Sequence, residues 1–212
     1  MALLKKKLKR PAIYLISPNL YDQDYFAPLL KKILETKMIK IFQLRLKNVS
    51  DKFLKEQINL IHPMCRKNKV LFIINDRPEL VKEYDIDGVH LGENDLNFKL
   101  ARKMLGNNKI IGLSCYNSPN LGKKAQALGA NYIAFGSFFK TSTKINTKKV
   151  VKNSLLKWKK FRRVPFVGIG GINTNNFDII RNIDFDFLAI SSAVWNDKIS
   201  PINAINKIKN II

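Results

Sequence analysis

Eight short β-branched runs, each followed by a stretch of helical period, recur along the 212-residue chain and constrain its fold more than any other feature. They fall at residues 12–17, 40–46, 70–75, 88–91, 109–114, 132–136, 166–169 and 187–191. Between them lie amphipathic segments such as 50–67, where Phe53, Leu54, Gln57, Ile58 and Ile61 form one stripe; 153–161 and 201–211 read the same way. Ser50 and Asp51 supply an N-cap before the second helix, and Asn173 and Thr174 one before the seventh. Strands alternating with helices, and apolar on both faces, imply a parallel sheet covered on both sides. Eight such units close a circle, so the expected fold is an α/β TIM (β/α)8 barrel rather than an open doubly wound sheet. No linker or low-complexity stretch divides residues 1–212, which read as a single domain with 1–11 as a basic N-terminal extension.

Composition narrows the function class. Hydrophobic residues make up 46% and charged residues 25%, ordinary globular values that exclude wholesale disorder. No apolar run approaches the roughly 18 residues that span a bilayer, so no membrane partner is expected. The formal charge of +22 invites a nucleic-acid reading. However, 30 of the 38 basic residues are Lys, beside 26 Ile and 22 Asn, and they are spread over all the helical segments. That profile fits A/T-rich codons and a solvated Lys-rich surface, so no nucleic-acid partner is expected. Cys65 and Cys115 form no C-x-x-C motif, which fits a reducing compartment and a cytoplasmic location.

In such barrels the chemistry lies at the carboxyl ends of the strands. Period two puts Gln43, Arg45 and Lys47 on one face of the second strand, opposite Phe42, Leu44 and Leu46. Two cations turned toward the barrel mouth require a counter-charge, either an anionic ligand or a carboxylate on a neighbouring strand. Asp76 follows the third strand and Asp95 the fourth. Two carboxylates beside a cationic site suggest Mg²⁺, which takes one or two carboxylates together with phosphate oxygens and water. Turn or N-cap roles are the plainer alternatives for these two residues. The segment from Gly136 to Lys144 is rich in hydroxyls and ends in a cation, a composition that wraps phosphate. Strand seven ends Gly168-Ile169-Gly170-Gly171, and its glycines, with Ser191 and Ser192 at the end of strand eight, mark the usual phosphate site of this barrel type. Two anion sites are therefore implied.

The order Gln-x-Arg-x-Lys, Asn-Asp-Arg, Gly-Val-His-Leu-Gly-x-x-Asp, Ile-Gly-x-Ser, Thr-x-Thr-Lys, Gly-Ile-Gly-Gly-Ile and Ser-Ser-Ala resembles the thiamine phosphate synthase family over residues 12–195. The resemblance implies a transferase that joins 4-amino-2-methyl-5-(diphosphooxymethyl)pyrimidine to a thiazole phosphate and releases diphosphate. It assigns Gln43, Arg45, Lys47, Asn75, Ser114 and Lys144 to the pyrimidine diphosphate, with Arg45, Lys47, Ser114 and Lys144 as the catalytic group. Thr141, Thr143, Gly171, Ser191 and Ser192 match the positions that hold the thiazole phosphate, and Asp76 and Asp95 those that bind Mg²⁺. The implied partners are small phosphorylated substrates, and a homo-oligomer stays open. His90 is expected to be a structural histidine of the interior.

Three positions depart from the family pattern. Ser137 and Lys140 stand where prolines are usual, and Tyr116 stands where histidine is frequent. The related thiazole tautomerase uses that histidine and tends to lack the metal carboxylates, which favours a synthase here. A catalytically silent phosphate-binding barrel is the remaining alternative.

Overall fold

In the computed structural model, eight parallel strands pair in sequence order and close on themselves. They are β1 (Ala12–Ile16), β2 (Ile39–Leu44), β3 (Leu71–Asn75), β4 (Gly88–Leu91), β5 (Ile110–Tyr116), β6 (Tyr132–Phe135), β7 (Phe166–Ile169) and β8 (Phe187–Ile190). The structure describes residues 4, 10–92, 98–140, 155, 158 and 160–212. The described helices are α1 (Gln23–Glu35), α2 (Asp51–Lys67), α3 (Pro78–Glu83), α4 (Phe98–Leu105), α5 (Pro119–Ala127), α6 (Phe177–Ile180), α7 (Ser192–Trp195) and α8 (Pro201–Ile211). Of the helical segment expected at 153–161, Leu155 and Trp158 are helical and buried. The barrel read from the eight repeats is thus the barrel found.

Local chemistry sets the helix ends. Ser50 caps α2 by accepting the Phe53 N–H, Asp51 sits in its first turn, and Arg66 and Lys67 lie in its last. Leu54, Ile58, Ile61 and Cys65 form its buried stripe. The cap expected at Asn173 and Thr174 is corrected: α6 begins after Asn176. Asn173 instead accepts the Asn175 N–H on its side chain, an Asx turn that delays the helix. The second strand also ends earlier than its alternation suggested, at Leu44. Beyond it, the N–H groups of Arg45 and Lys47 go to side chains rather than to a β ladder.

Period two divides the strands between two cores. Tyr14, Ile16, Ile41, Ile73, Ile110, Tyr132, Ala134, Val167, Phe187 and Ala189 fill the barrel interior, and Leu4, only 7% exposed, packs with them. Their strand neighbours, among them Leu15, Phe42, Phe72, Ile74 and Leu188, face the helices. Large residues inside are matched by small ones. A Cβ on Gly112 would fall within the Tyr132 ring, so the glycine of the Ile-Gly-x-Ser motif makes room for a tyrosine of the next strand.

At the opposite end from the mouth, one device recurs. The residue just before each of β4, β6 and β8 accepts a backbone N–H of the preceding strand on its side chain. Asp87 takes that of Phe72, Asn131 that of Ile111 and Asp186 that of Phe166, each at 2.8 Å. Asn131 and Asp186 return their own N–H to the same residue's carbonyl, and arginines complete both sites. Arg102 donates to Asn131 at 2.7 Å and Arg162 to Asp186 at 2.9 Å. Removing Asp186 would leave the Phe166 N–H without its side-chain acceptor and the largely buried Arg162 with Asp184 alone, whose carbonyl it meets at 2.7 Å and whose carboxylate at 3.6 Å. Asp186→Ala is therefore expected to destabilise the fold by about 1–3 kcal/mol in urea unfolding. Asp186→Asn, which reproduces the acceptor found at Asn131, should lose less than half as much.

Candidate active site

The mouth cavity lies over the carboxyl ends of the strands. Arg45 and Ser114 line it together with Gly170, Gly171, Ser191 and Ser192. Of the anion group read on strands two to four, only Arg45 lines this cavity, beside the residues expected to hold phosphate after strands seven and eight; Gln43, Lys47, Asn75 and Asp76 do not line it. Ile16, Ala134, Ile169 and Ala189 give it an apolar floor, and Tyr116 and Ser137 stand at its side. Asp95, Thr141, Thr143 and Lys144 lie outside the described residues.

Gln43 is 3% exposed and points into the barrel. A buried amide must be satisfied by other polar groups. Its Nε2 donates to Asn75 Oδ1 at 2.6 Å and its Oε1 accepts from the Tyr14 hydroxyl at 2.9 Å. The Tyr14 and Tyr132 hydroxyls are 2.8 Å apart, Tyr132 Oη lies 3.0 Å from His90 Nδ1, and His90 Nε2 lies 2.9 Å from Ser114 Oγ. A row of side chains from six strands therefore joins Asn75 to Ser114. The tyrosines carry no motif, whereas His90, expected to be a structural histidine of the interior, is buried with both ring nitrogens paired. The available signal was that Tyr14 and Tyr132 share the inward register of Gln43.

Arg45 and Lys47 are held by the loop after β1, which the sequence reading missed. Ser17 Oγ accepts the Arg45 N–H at 2.9 Å and Asn19 Oδ1 accepts the Lys47 N–H at 3.0 Å. The Ser17 carbonyl in turn accepts from Ser191 Oγ at 3.2 Å, so one residue ties both sides of the cavity. Desolvation pulls the Arg45 guanidinium below its ordinary pKa, and the charge of Asp76 partly offsets that. Lys47 Nζ lies 3.4 Å from Asp76 Oδ2, so the cross-strand ion pair left open by the sequence is present for this lysine.

The loop after β6 is stitched to the one after β7. Phe138 N–H bonds to the Ile169 carbonyl at 3.2 Å and Phe139 N–H to that of Gly170 at 3.0 Å. Ser137, in a place where proline is usual, closes the turn by donating to the Phe139 carbonyl. Gly170 and Gly171 have φ of 99° and 67°, and a Cβ on either would collide with this loop. Cys115 neighbours Ser114 in sequence but is buried, and desolvation pushes its thiol up to about 12. It offers no thiolate at neutral pH.

Residues 13–194 match the family model described as thiamine monophosphate synthase. The thiamine-phosphate synthase of Pelagibacter ubique is 42% identical over 97% of this chain and 99% of its own length. That of Rhodospirillum centenum is 36% identical over 91% and 93%. Among solved structures, the thiamine phosphate pyrophosphorylase from Pyrococcus furiosus superposes with a TM-score of 0.82 at 27% identity, covering 94% of each chain. A 3-hexulose-6-phosphate synthase, at 15% identity and a TM-score of 0.62, shares the fold alone.

The row of polar side chains depends on the space left at Gly112. Gly112→Ala should push the Tyr132 ring aside and destabilise the protein by about 1–3 kcal/mol in denaturant unfolding. An unchanged unfolding midpoint would show that the ring has room to move.

Proposed function

The chain belongs to the thiamine monophosphate synthase family and is an enzyme of the transferase class, and on that premise we propose its substrates and mechanism. It condenses 4-amino-2-methyl-5-(diphosphooxymethyl)pyrimidine with 4-methyl-5-(2-phosphooxyethyl)thiazole, or its carboxylated form, to give thiamine phosphate and diphosphate. The observation that supports this most directly is the single cavity lined by Arg45 and Ser114 together with Gly171, Ser191 and Ser192. Arg45 and Ser114 suit the pyrimidine diphosphate, and Gly171, Ser191 and Ser192 the thiazole phosphate.

The chemistry needs no side-chain nucleophile. In a dissociative reaction the bond between the pyrimidine methylene carbon and the diphosphate oxygen breaks first. The thiazole nitrogen then attacks the resulting carbocation. Arg45 is already partly desolvated, so its charge acts on the departing diphosphate with little screening. Lys47 and, by resemblance, Lys144 add to that field. Asn75 offers amide N–H groups at the same rim. Gly171 with Ser191 and Ser192, joined by Thr141 and Thr143 from the resemblance, would hold the thiazole phosphate so that its ring nitrogen faces the cation. The apolar floor excludes water that would otherwise capture the cation.

Asp76 fits Mg²⁺ by its donor chemistry. It is a hard carboxylate at the rim, beside the cations expected to meet diphosphate, and it carries the left-handed φ of 64° typical of a turn. Asp95 would be the second ligand. Mg²⁺ bound there would neutralise charge on the diphosphate. Among the described residues no helix is long and apolar enough to cross a membrane. We place the enzyme in the cytoplasm with its phosphorylated substrates.

Purified protein mixed with both substrates and Mg²⁺ should form thiamine phosphate, and no product with or without metal would overturn the assignment. Arg45→Ala should lower kcat by about 10²–10³. Asp76→Ala should abolish the Mg²⁺ dependence along with most of the rate, and a fully active variant would refute the metal assignment.

A further inference from the structure

With the His90 imidazole neutral, the row from Asn75 to Ser114 admits one placement of its protons, given the orientation of the Gln43 amide. Gln43 donates from Nε2 to Asn75, so its Oε1 must accept from the Tyr14 hydroxyl. A phenol has a single proton. With that of Tyr14 committed to Gln43, the 2.8 Å contact between the tyrosines is a bond from Tyr132 to Tyr14. The Tyr132 oxygen can then only accept from His90 at 3.0 Å, which places a proton on Nδ1. A neutral imidazole carries one N–H, so Nε2 presents its lone pair and Ser114 Oγ donates to it across 2.9 Å. Burial raises the pKa of both phenols, so each keeps the proton that this count requires.

The row is therefore polar. At one end Asn75, its Oδ1 occupied by Gln43, has N–H donors to offer beside Asp76. At the other end, Ser114 has turned its proton inward and faces the cavity with oxygen lone pairs. We propose that His90 is a positioning residue, held by Tyr132 as the Nδ1–H tautomer, and that it makes Ser114 a hydrogen-bond acceptor toward the ligand. Such an acceptor selects an N–H donor, the exocyclic amino group of an aminopyrimidine, over a phosphate oxygen. The donor end at Asn75 suits the anion instead. This assignment of the ligand group rests on the function proposed above, whereas the tautomer rests on the structure alone.

The chain has only two histidines, so long-range ¹H–¹⁵N spectra of protein labelled at histidine contain two rings, and a His62→Gln variant assigns them. Near neutral pH, His90 should show a protonated, pyrrole-type Nδ1 and a pyridine-type Nε2. A ring protonated at Nε2, alone or together with Nδ1, would overturn the proposal. Tyr132→Phe removes the acceptor of Nδ1–H and should shift the proton toward Nε2. Tyr14→Phe should do the same by freeing the Tyr132 proton, and it serves if the first variant does not fold. A ring unchanged in a folded variant would show that the tyrosines do not set the tautomer.

For Ser114, Ser114→Ala should raise the KM for the aminopyrimidine by about ten-fold. Its calorimetric affinity for inorganic diphosphate should stay within about two-fold of the unmodified protein. An equal loss of diphosphate affinity would mean that Ser114 donates to the anion, against the proposal. The spectra are read without substrate. Failure of the synthase assay therefore overturns the functional reading alone, and a wrong tautomer overturns this proposal alone.

Discussion

A closed barrel leaves its interior without bulk water, so every polar group that a strand turns inward must be satisfied by another strand. That constraint governs the upper half of this molecule. Gln43 can be buried because Tyr14 and Asn75 complete its amide, and Tyr14 can be buried because Tyr132 lies across from it. The chain of dependence runs through His90 to Ser114 at the cavity. Even the glycine at position 112 belongs to it, since Tyr132 needs the volume a side chain there would fill. A residue at the mouth is thus oriented by partners on the far side of the barrel. Fully satisfied rows of this kind rigidify a site, and partly satisfied ones are costly.

Much of this was legible in the sequence. Eight short β-branched runs, each followed by a helical stretch, announced the barrel, and the polar residues clustered at strand ends announced the cavity. Gln43, Arg45 and Ser191 stood out in this way as candidate site residues, and Ser114 through the family resemblance. Residues that act across strands did not. Which side chain meets Tyr14 depends on how far each strand is staggered against the next, and neither Tyr132 nor His90 is near it in sequence. Ser17 and Asn19 escaped for a similar reason, because their bonds run from one loop to another. The early end of β2 follows from those bonds, which take Arg45 and Lys47 out of the ladder. The cap at Asn176 shows the limit of local rules, since Asn173 satisfies the expected cap chemistry in a turn instead of a helix.

Charge acts here at two ranges. Most of the +22 is carried by lysines spread over the surface, and it attracts anions weakly from a distance, an effect salt weakens. At the mouth, Arg45 and Lys47 are fixed by backbone anchors, and Arg45 is partly stripped of water. Arg45 is placed by Ser17, and Ser17 also receives the hydroxyl of Ser191, so the cation on one side of the cavity and the hydroxyl on the other are positioned by the same residue. Surface lysines can change in number with little consequence for such an arrangement, whereas one change in the β1 loop disturbs both sides at once.

The side-chain clamps opposite the mouth have a different consequence. Asp87, Asn131 and Asp186 each lock one strand to the next at the same relative place, so strand register is fixed pair by pair. The smallest piece that carries its own alignment is then a two-strand unit, not the whole barrel. Loops at the other end can lengthen, shorten or be exchanged between such units without shifting a strand. A barrel of this kind can be assembled from repeated modules and given new chemistry one loop at a time.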